Sequence, residues 1–317
     1  MTVSRTREWP GASSLAERLV EGGGGSIRAI LLYGSRLLAT NPDSHSAFDL
    51  VVIVNDNRRF LSALSAAGEL HRPLGLLVAL SRTLAPNVLA FAPNDGRDGV
   101  AKCLVVSEGD FERGLGSHPP DHFLLGRMVQ KLGIVWIADA SVEAWLEEQV
   151  SGAHRRVLEW MAPYLQGPVD AEGLGRRLLE VCYQGEIRPE SRDRAGRVFE
   201  AQADHFAVAL APALEAAVES GAMTRQGPLY SLRGPVPPTQ RRRWARHFRR
   251  SKARTTTRWF KHMITFANWL PYVVRKVERH TGRTIELTPL ERSIPLIFLW
   301  PRVIHVLLSR PRREIDS

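Results

Sequence analysis

The chain has 317 residues, 44% of them hydrophobic, long enough for two domains and ordinary for a globular protein with a real core. Its two cysteines, Cys103 and Cys182, are far apart and lack metal-type spacing, which excludes a disulfide framework and points to a reducing compartment. A formal net charge of +10 and a pI near 10.3 point instead to a polyanionic partner, nucleic acid or an anionic membrane.

Met1 to Pro10 carries Arg5, Arg7 and Glu8 without an apolar core, so it does not read as a secretory signal and makes only a weak transit peptide. Ser13 to Glu21 reads as a helix with Leu15, Leu19 and Val20 on one face, stopped by Gly22 to Gly25. Ile30 to Tyr33 is a short apolar run ending on Gly34, the pattern of a buried strand feeding a tight turn. Phe48 to Val54 is dense in β-branched residues and interrupted only by Asp49, so an acid stands at the entrance of an otherwise buried strand. That carboxylate costs desolvation energy unless something pairs with it, and a metal ion is the usual partner. Gly34, Ser35 and Asp49 therefore form a candidate nucleotide and metal site. Glycine lets backbone N–H groups approach a triphosphate, a serine hydroxyl donates to a phosphate oxygen, and one carboxylate facing the turn holds magnesium against the phosphates. A Gly-Ser turn is also common in any α/β protein, and a lone acid opening a strand is often only a solvated edge.

Asn55-Asp56-Asn57 is a turn cluster before a helical pattern from Arg59 to Leu70, with Phe60, Leu61 and Leu64 inward. Asp56 fits a turn former, or a second acid near the metal. Leu74 to Leu80 is continuously apolar, and Asn87 to Ala92 and Lys102 to Ser107 read as strands joined by the turn-rich Pro93 to Gly99. Lys102, opening its strand, fits a solvated lysine or a point charge that reaches a phosphate. Residues 1–110 thus predict a small mixed sheet with flanking helices.

Residues 111–233 predict a mainly helical domain, with a winged-helix form as one option. Asp121 to Lys131 has Phe123, Leu124 and Met128 at helix spacing and Arg127 and Lys131 four apart on one face. Helical patterns follow at Val142 to Val150, Ala153 to Tyr164 and, after the Gly167-Pro168 break, Gly173 to Tyr183. Glu186, Arg188, Glu190, Arg192, Asp193, Arg194 and Arg197 then crowd around Gly185 and Gly196. They fit a solvated charge cluster with ion pairs worth little each, or a phosphate-binding surface built on bidentate arginines.

Residues 234–317 form a basic, amphipathic C-terminal region. After the stiff linker Pro235-Val236-Pro237-Pro238, arginines and lysines run from Arg241 to Lys261 with no acid among them, interleaved with Trp244, Phe248, Trp259, Phe260, Phe266 and Trp269. This composition fits an interfacial membrane helix, and it fits RNA through stacking and phosphate contacts. Ile294 to Leu308 is a second apolar piece, interrupted by Pro295, Pro301, Arg302 and His305. It falls short of the ~20 clean apolar residues of a span, and fits an interfacial helix or an ordinary core helix.

Taken in order, YGS from Tyr33, FDLVVIVND from Phe48, KCLVVS from Lys102, LLGRMVQKLGIVW from Leu124, CYQGEIRPES from Cys182 and RVFEAQADHF from Arg197 resemble a known family. It is the mitochondrial translocator-maintenance family of phosphatidate cytidylyltransferases, peripheral CDP-diacylglycerol synthases within the polymerase-β-like nucleotidyltransferase superfamily. That superfamily's usual Asp-any-Asp strand has Ala47 here in place of its first aspartate, and the family's single-aspartate strand accommodates this. The resemblance spans roughly residues 30 to 210 and lies in the order of short motifs. It implies an α/β fold of nucleotidyltransferase type in which Tyr33, Gly34 and Ser35 cradle the CTP phosphates and Asp49 holds Mg2+. Lys102, Arg127 and Lys131 match basic positions that neutralise the triphosphate or phosphatidate. Gly185 and Arg188 match the phosphate-binding segment, with Arg197 beside it, while Glu186 replaces an aspartate, Arg36 a glycine and Leu132 a proline. The implied reaction joins CTP and phosphatidate at the inner face of a membrane, by a cytoplasmic, peripheral enzyme. An RNA-binding protein on a decayed transferase fold, or a transferase acting on tRNA or a small-molecule hydroxyl, are the other readings.

Overall fold

The apolar runs of the first half pair edge to edge. Strands β1 (Val3–Arg5), β2 (Ile27–Tyr33), β3 (Phe48–Val54), β4 (Asn87–Phe91), β5 (Ala101–Ser107) and β6 (Leu132–Ile137) form one mixed sheet, ordered β1-β6-β2-β3-β5-β4. The computed structural model describes residues 3–5, 9–39, 47–70, 72–91, 100–184, 194–265 and 288. All its elements lie in the first of two units, Met1–Thr265, the second being Phe266–Ser317. Gly185, Glu186, Arg188, the turn after β4 and the Ile294 to Leu308 segment fall outside the described residues.

β3 lies inside the sheet, antiparallel to β2 and parallel to β5. Its residues from Leu50 to Val54 are fully buried. A strand covered on both faces has no polar side to show, which is why this one reads as a continuous apolar run. Helices α1 (Pro10–Gly22), α2 (Ser35–Leu38), α3 (Asn57–Ala66) and α4 (Leu74–Ser81) accompany it. Leu15 and Leu19 of α1, Phe60, Leu61 and Leu64 of α3 and Leu77 of α4 share a buried cluster with Ile30, Leu32, Leu50 and Val52 of the sheet. Asp56 is the N-cap of α3, its carboxylate accepting from the Arg59 N–H at 2.6 Å. This is the turn-forming reading of Asp56.

The predicted helix from Asp121 to Lys131 is only partly formed. After α5 (Glu108–Leu115), the helix α6 covers just Leu125–Met128, and Leu132–Ile137 leaves it as β6, which sequence reasoning left inside a helical region. β6 pairs antiparallel with the edge of β2 that β3 does not use, through Leu32↔Gly133 and Leu31↔Ile134. A buried strand edge must satisfy its backbone groups, and that demand outweighs a local helical pattern.

The helical part comprises α7 (Ala140–Arg155), α8 (Val157–Met161), α9 (Ala171–Gln184), α10 (Arg194–Glu200) and α11 (Ala203–Glu219). A hairpin of β7 (Met223–Gln226) and β8 (Leu229–Leu232) follows. α9 and α11 touch at Gly175, where a Cβ would stand 2.5 Å from the Phe206 ring.

The basic run becomes α12 (Pro238–Thr265), a 28-residue helix. Trp244, Ser251, Thr255, Arg258 and Thr265 recur three, four or seven residues apart along its buried stripe. Every arginine from Arg241 to Arg250, and Lys252, is exposed on the other side. Part of the aromatic and cationic row that the sequence offers to a lipid surface or to RNA therefore packs inward instead. Trp244 is buried, Arg258 is 1% exposed and Lys261 5% exposed, all against protein. Among the described residues, no helix is long and apolar enough to cross a membrane.

Candidate functional site

Two neighbouring strand pairings assemble the site. Tyr33 at the end of β2 lies opposite Asp49, and Asp49 lies beside Lys102 in the parallel β3–β5 pair. The turn that follows Tyr33 places Gly34 at φ 80° and ψ −158°, a conformation that is essentially restricted to glycine. A Cβ built on Gly34 would stand 3.0 Å from Oδ2 of Asp49. The backbone bend and the carboxylate thus face each other closely, as the sequence expectation requires. Ser35 begins α2 directly after the bend.

Both reasons predict the outcome of Gly34→Ala. The methyl group meets a carboxylate oxygen and the backbone leaves its allowed region, so the variant loses about 1–3 kcal/mol of stability. Urea titration monitored by circular dichroism measures it. A change below ~0.5 kcal/mol means that the bend relaxes freely, and the close approach then has no structural force.

Lys102 Nζ stands 3.7 Å from Oδ1 of Asp49, with the two side chains 34% and 28% exposed. That separation exceeds a hydrogen bond, and a partly solvated pair of this kind is worth about 0–1 kcal/mol. The pair is therefore easily opened by a competing cation or anion. Among the described residues, no three His, Cys, Asp or Glu side chains converge as a metal cage. A lone carboxylate nonetheless fits magnesium, which binds through one or two carboxylates and fills its shell with water and substrate phosphates.

Arg127 lies on α6 with its guanidinium 3.7 Å from the Phe123 ring centroid and Nη1 donating to the Phe123 carbonyl at 2.6 Å. Its charge bears on Arg258 and His262 of α12. Lys131 was expected on the same helix face, but α6 ends at Met128 and Lys131 is exposed beyond it. Its backbone N–H donates to Gln202 Oε1 at 2.8 Å, and its charge bears on His205 of α11. Burial first, then the neighbouring His154 and Lys131, push His205 down to about 4. The Arg127 charge thus bears on α12 and the Lys131 charge on α11. Arg197 is exposed on α10.

Sequence reasoning missed the inner face of α12. Asp121 is 3% exposed and accepts from Arg258 Nη2 at 2.6 Å, Arg254 Nε at 3.0 Å and the Phe123 N–H at 3.1 Å. Burial by itself raises the Asp121 carboxyl, but the Arg258 charge and these hydrogen bonds together hold it below the ordinary carboxylate range. Arg258 also donates to the Leu84 and Ala85 carbonyls, at 3.2 and 2.8 Å, with its guanidinium 4.5 Å from the Phe123 ring. The available signal was the absence of any acid in α12, which leaves its buried cations dependent on a partner elsewhere in the chain.

Neither Cys103 nor Cys182 is in a disulfide, and both are buried as small core residues. No protein-family model matches the sequence, and no curated protein matches it significantly.

Proposed function

We propose that this chain is a nucleotidyltransferase that makes CDP-diacylglycerol and pyrophosphate from CTP and phosphatidate at a membrane surface. The observation that carries the reading is the meeting of the Gly34 bend, the Asp49 carboxylate and the Lys102 ammonium on adjoining strands of a mixed sheet. Gly34 and Ser35 bring backbone N–H groups and a hydroxyl to a triphosphate, with Tyr33 holding the end of the strand behind them. Asp49 is the residue that would hold magnesium, whose charge there offsets that of the phosphates. Lys102 and Arg127 supply the positive charge that steadies the transferring and leaving groups.

A phosphate oxygen of phosphatidate attacks the α-phosphorus of CTP and forms the new P–O bond. The bond from that phosphorus to the bridging oxygen breaks, and its electron pair leaves with pyrophosphate. Little covalent work falls to the protein, so positioning and charge neutralisation carry the acceleration.

The exposed arginine row of α12 gives this enzyme a way to its lipid. Each cation near an anionic surface contributes about 1 kcal/mol of attraction. The same row also favours a second reading, RNA binding on a transferase-like scaffold. Labelled CTP, magnesium and phosphatidate vesicles, incubated with the full chain, are expected to yield CDP-diacylglycerol. Absence of product, together with a gel shift of RNA at matched salt and no flotation with anionic liposomes, selects the second reading.

A further inference from the structure

The last turns of α12 close over the strand next to Lys102. Thr265 Oγ1 donates to the Val88 carbonyl at 2.7 Å, and Lys261 Nζ donates to the carbonyls of Thr83 and Leu84, the latter at 3.1 Å. Both contacts tie the helix to the approach and start of β4, whose Ala90 is the cross-strand neighbour of Lys102. His262, between these anchors, lies within reach of the Lys102 charge. Its ring lies 5.8 Å from the Phe123 ring, which Arg127 and Arg258 also approach.

Burial and the charges of Lys102, Arg258, Lys261 and Arg127 hold the His262 imidazole well below its ordinary range. Among the described residues, the acids of this region are already committed. Asp49 faces Lys102, Asp121 takes Arg254 and Arg258, and Asp110, whose charge reaches Lys261, also pairs with Arg113. Two buried polar atoms, Nε2 of His262 and Nη1 of Arg258, have no hydrogen-bond partner among the described residues. Each such atom is a cost that folded proteins seldom leave standing, and an assembly of like charges adds to it. An anion beside His262 gives Nε2 an acceptor and offsets the like charges at once.

We propose that the C-terminal turns of α12 form the wall of a phosphate-binding site continuous with Gly34, Asp49 and Lys102. Lys102, Arg127 and His262, which are half-buried, meet the phosphate group, and Arg258 acts from behind as a fixed positive charge. Buried charges are screened far less than exposed ones, so Arg258 contributes without touching the ligand. Burial first, then the Arg258 charge, push Lys261 down to about 7, so it adds its charge fully only as an anion arrives. The proposal rests on reading Gly34, Asp49 and Lys102 as the nucleotide site, and it adds the helix that receives the polyphosphate end of a nucleotide or the phosphomonoester of a lipid.

Isothermal titration of the full chain with pyrophosphate, without magnesium, tests this. One site per chain is expected, weakened about 10-fold or more in His262→Gln and again in Arg127→Gln, a loss of ~1.4 kcal/mol for each tenfold step. Asp49→Asn removes an acid beside the cations and leaves pyrophosphate binding equal or tighter. Competition by CTP identifies the nucleotide as the source of the phosphate, and competition by a short-chain phosphatidate identifies the lipid. Thermal melts establish that each variant is folded. In addition, the His262 imidazole, followed by NMR, titrates at higher pH once pyrophosphate is bound, a change that a merely structural histidine does not show. Pyrophosphate that fails to bind, or that binds folded His262→Gln and Arg127→Gln as it binds the parent chain, overturns the proposal. Intact pyrophosphate binding without CDP-diacylglycerol formation instead counts against the proposed reaction and leaves the anion site standing.

Discussion

Asp49→Asn is expected to lower CDP-diacylglycerol formation by ~10³-fold, at the upper end of what removing one charged or donor group from a catalytic site costs. The substitution keeps the size and shape of the side chain, so the Tyr33 and Lys102 pairings on either side of it remain. What it removes is the anionic charge facing the Gly34 bend. Lys102 loses a partner at 3.7 Å, but both groups are partly solvated, and the expected change in stability stays below about 1 kcal/mol. A large loss of rate with an unchanged melting temperature is therefore the signature. A higher magnesium requirement in any residual activity would place the loss on metal binding. Product formation at the parent rate in a folded variant would remove Asp49 from the mechanism and the mechanism with it.

Asp121→Asn carries the largest expected effect on stability, a destabilisation of about 3–5 kcal/mol, because it leaves buried Arg258 without its counter-charge. Against a typical total of about 5–15 kcal/mol, that is enough to unfold the chain at moderate temperature. The Phe123 N–H bonds Oδ1 while Arg254 and Arg258 bond Oδ2, so the single oxygen of asparagine keeps one side only and its NH2 meets a donor on the other, a lost hydrogen bond that adds to the lost charge. The companion variant Asp121→Leu with Arg258→Met removes both charges and is expected to recover a good part of it, since apolar replacement of a buried ion pair is often close to neutral. A single substitution that costs less than ~1 kcal/mol in urea would show that α12 does not depend on this contact. The same pair sets a pH dependence. The Asp121 carboxyl is held below its unfolded value of 3.8, so the folded chain binds fewer protons there than the unfolded one. Its contribution is complete above that value and is lost as pH falls through the folded one. Acid unfolding in the parent chain should therefore begin near pH 4, and this component should vanish in the double variant.

Much of the sheet was legible in the residues alone. β3, buried on both faces, has no option but to read as an apolar run, and β2 ends at a glycine whose conformation other residues avoid. Gly34, Asp49 and Lys102 each stand out locally for that reason. Their meeting depended on the parallel pairing of β3 with β5, a long-range contact that no local pattern encodes. The split of Arg127 from Lys131 has a similar origin, since only the open edge of β2 calls residues 132–137 out of a helix and ends α6 between the two.

Composition and order by themselves determined that α12 would be basic, helical and without internal counter-charge. Which of its arginines turn inward was decided by tertiary structure alone. Arg250 and Arg258 are indistinguishable in the sequence, yet one is solvated and the other is 1% exposed against Asp121 and two backbone carbonyls. A cation can be buried only where acceptors from distant segments converge to replace its water, and that convergence is a property of the folded chain.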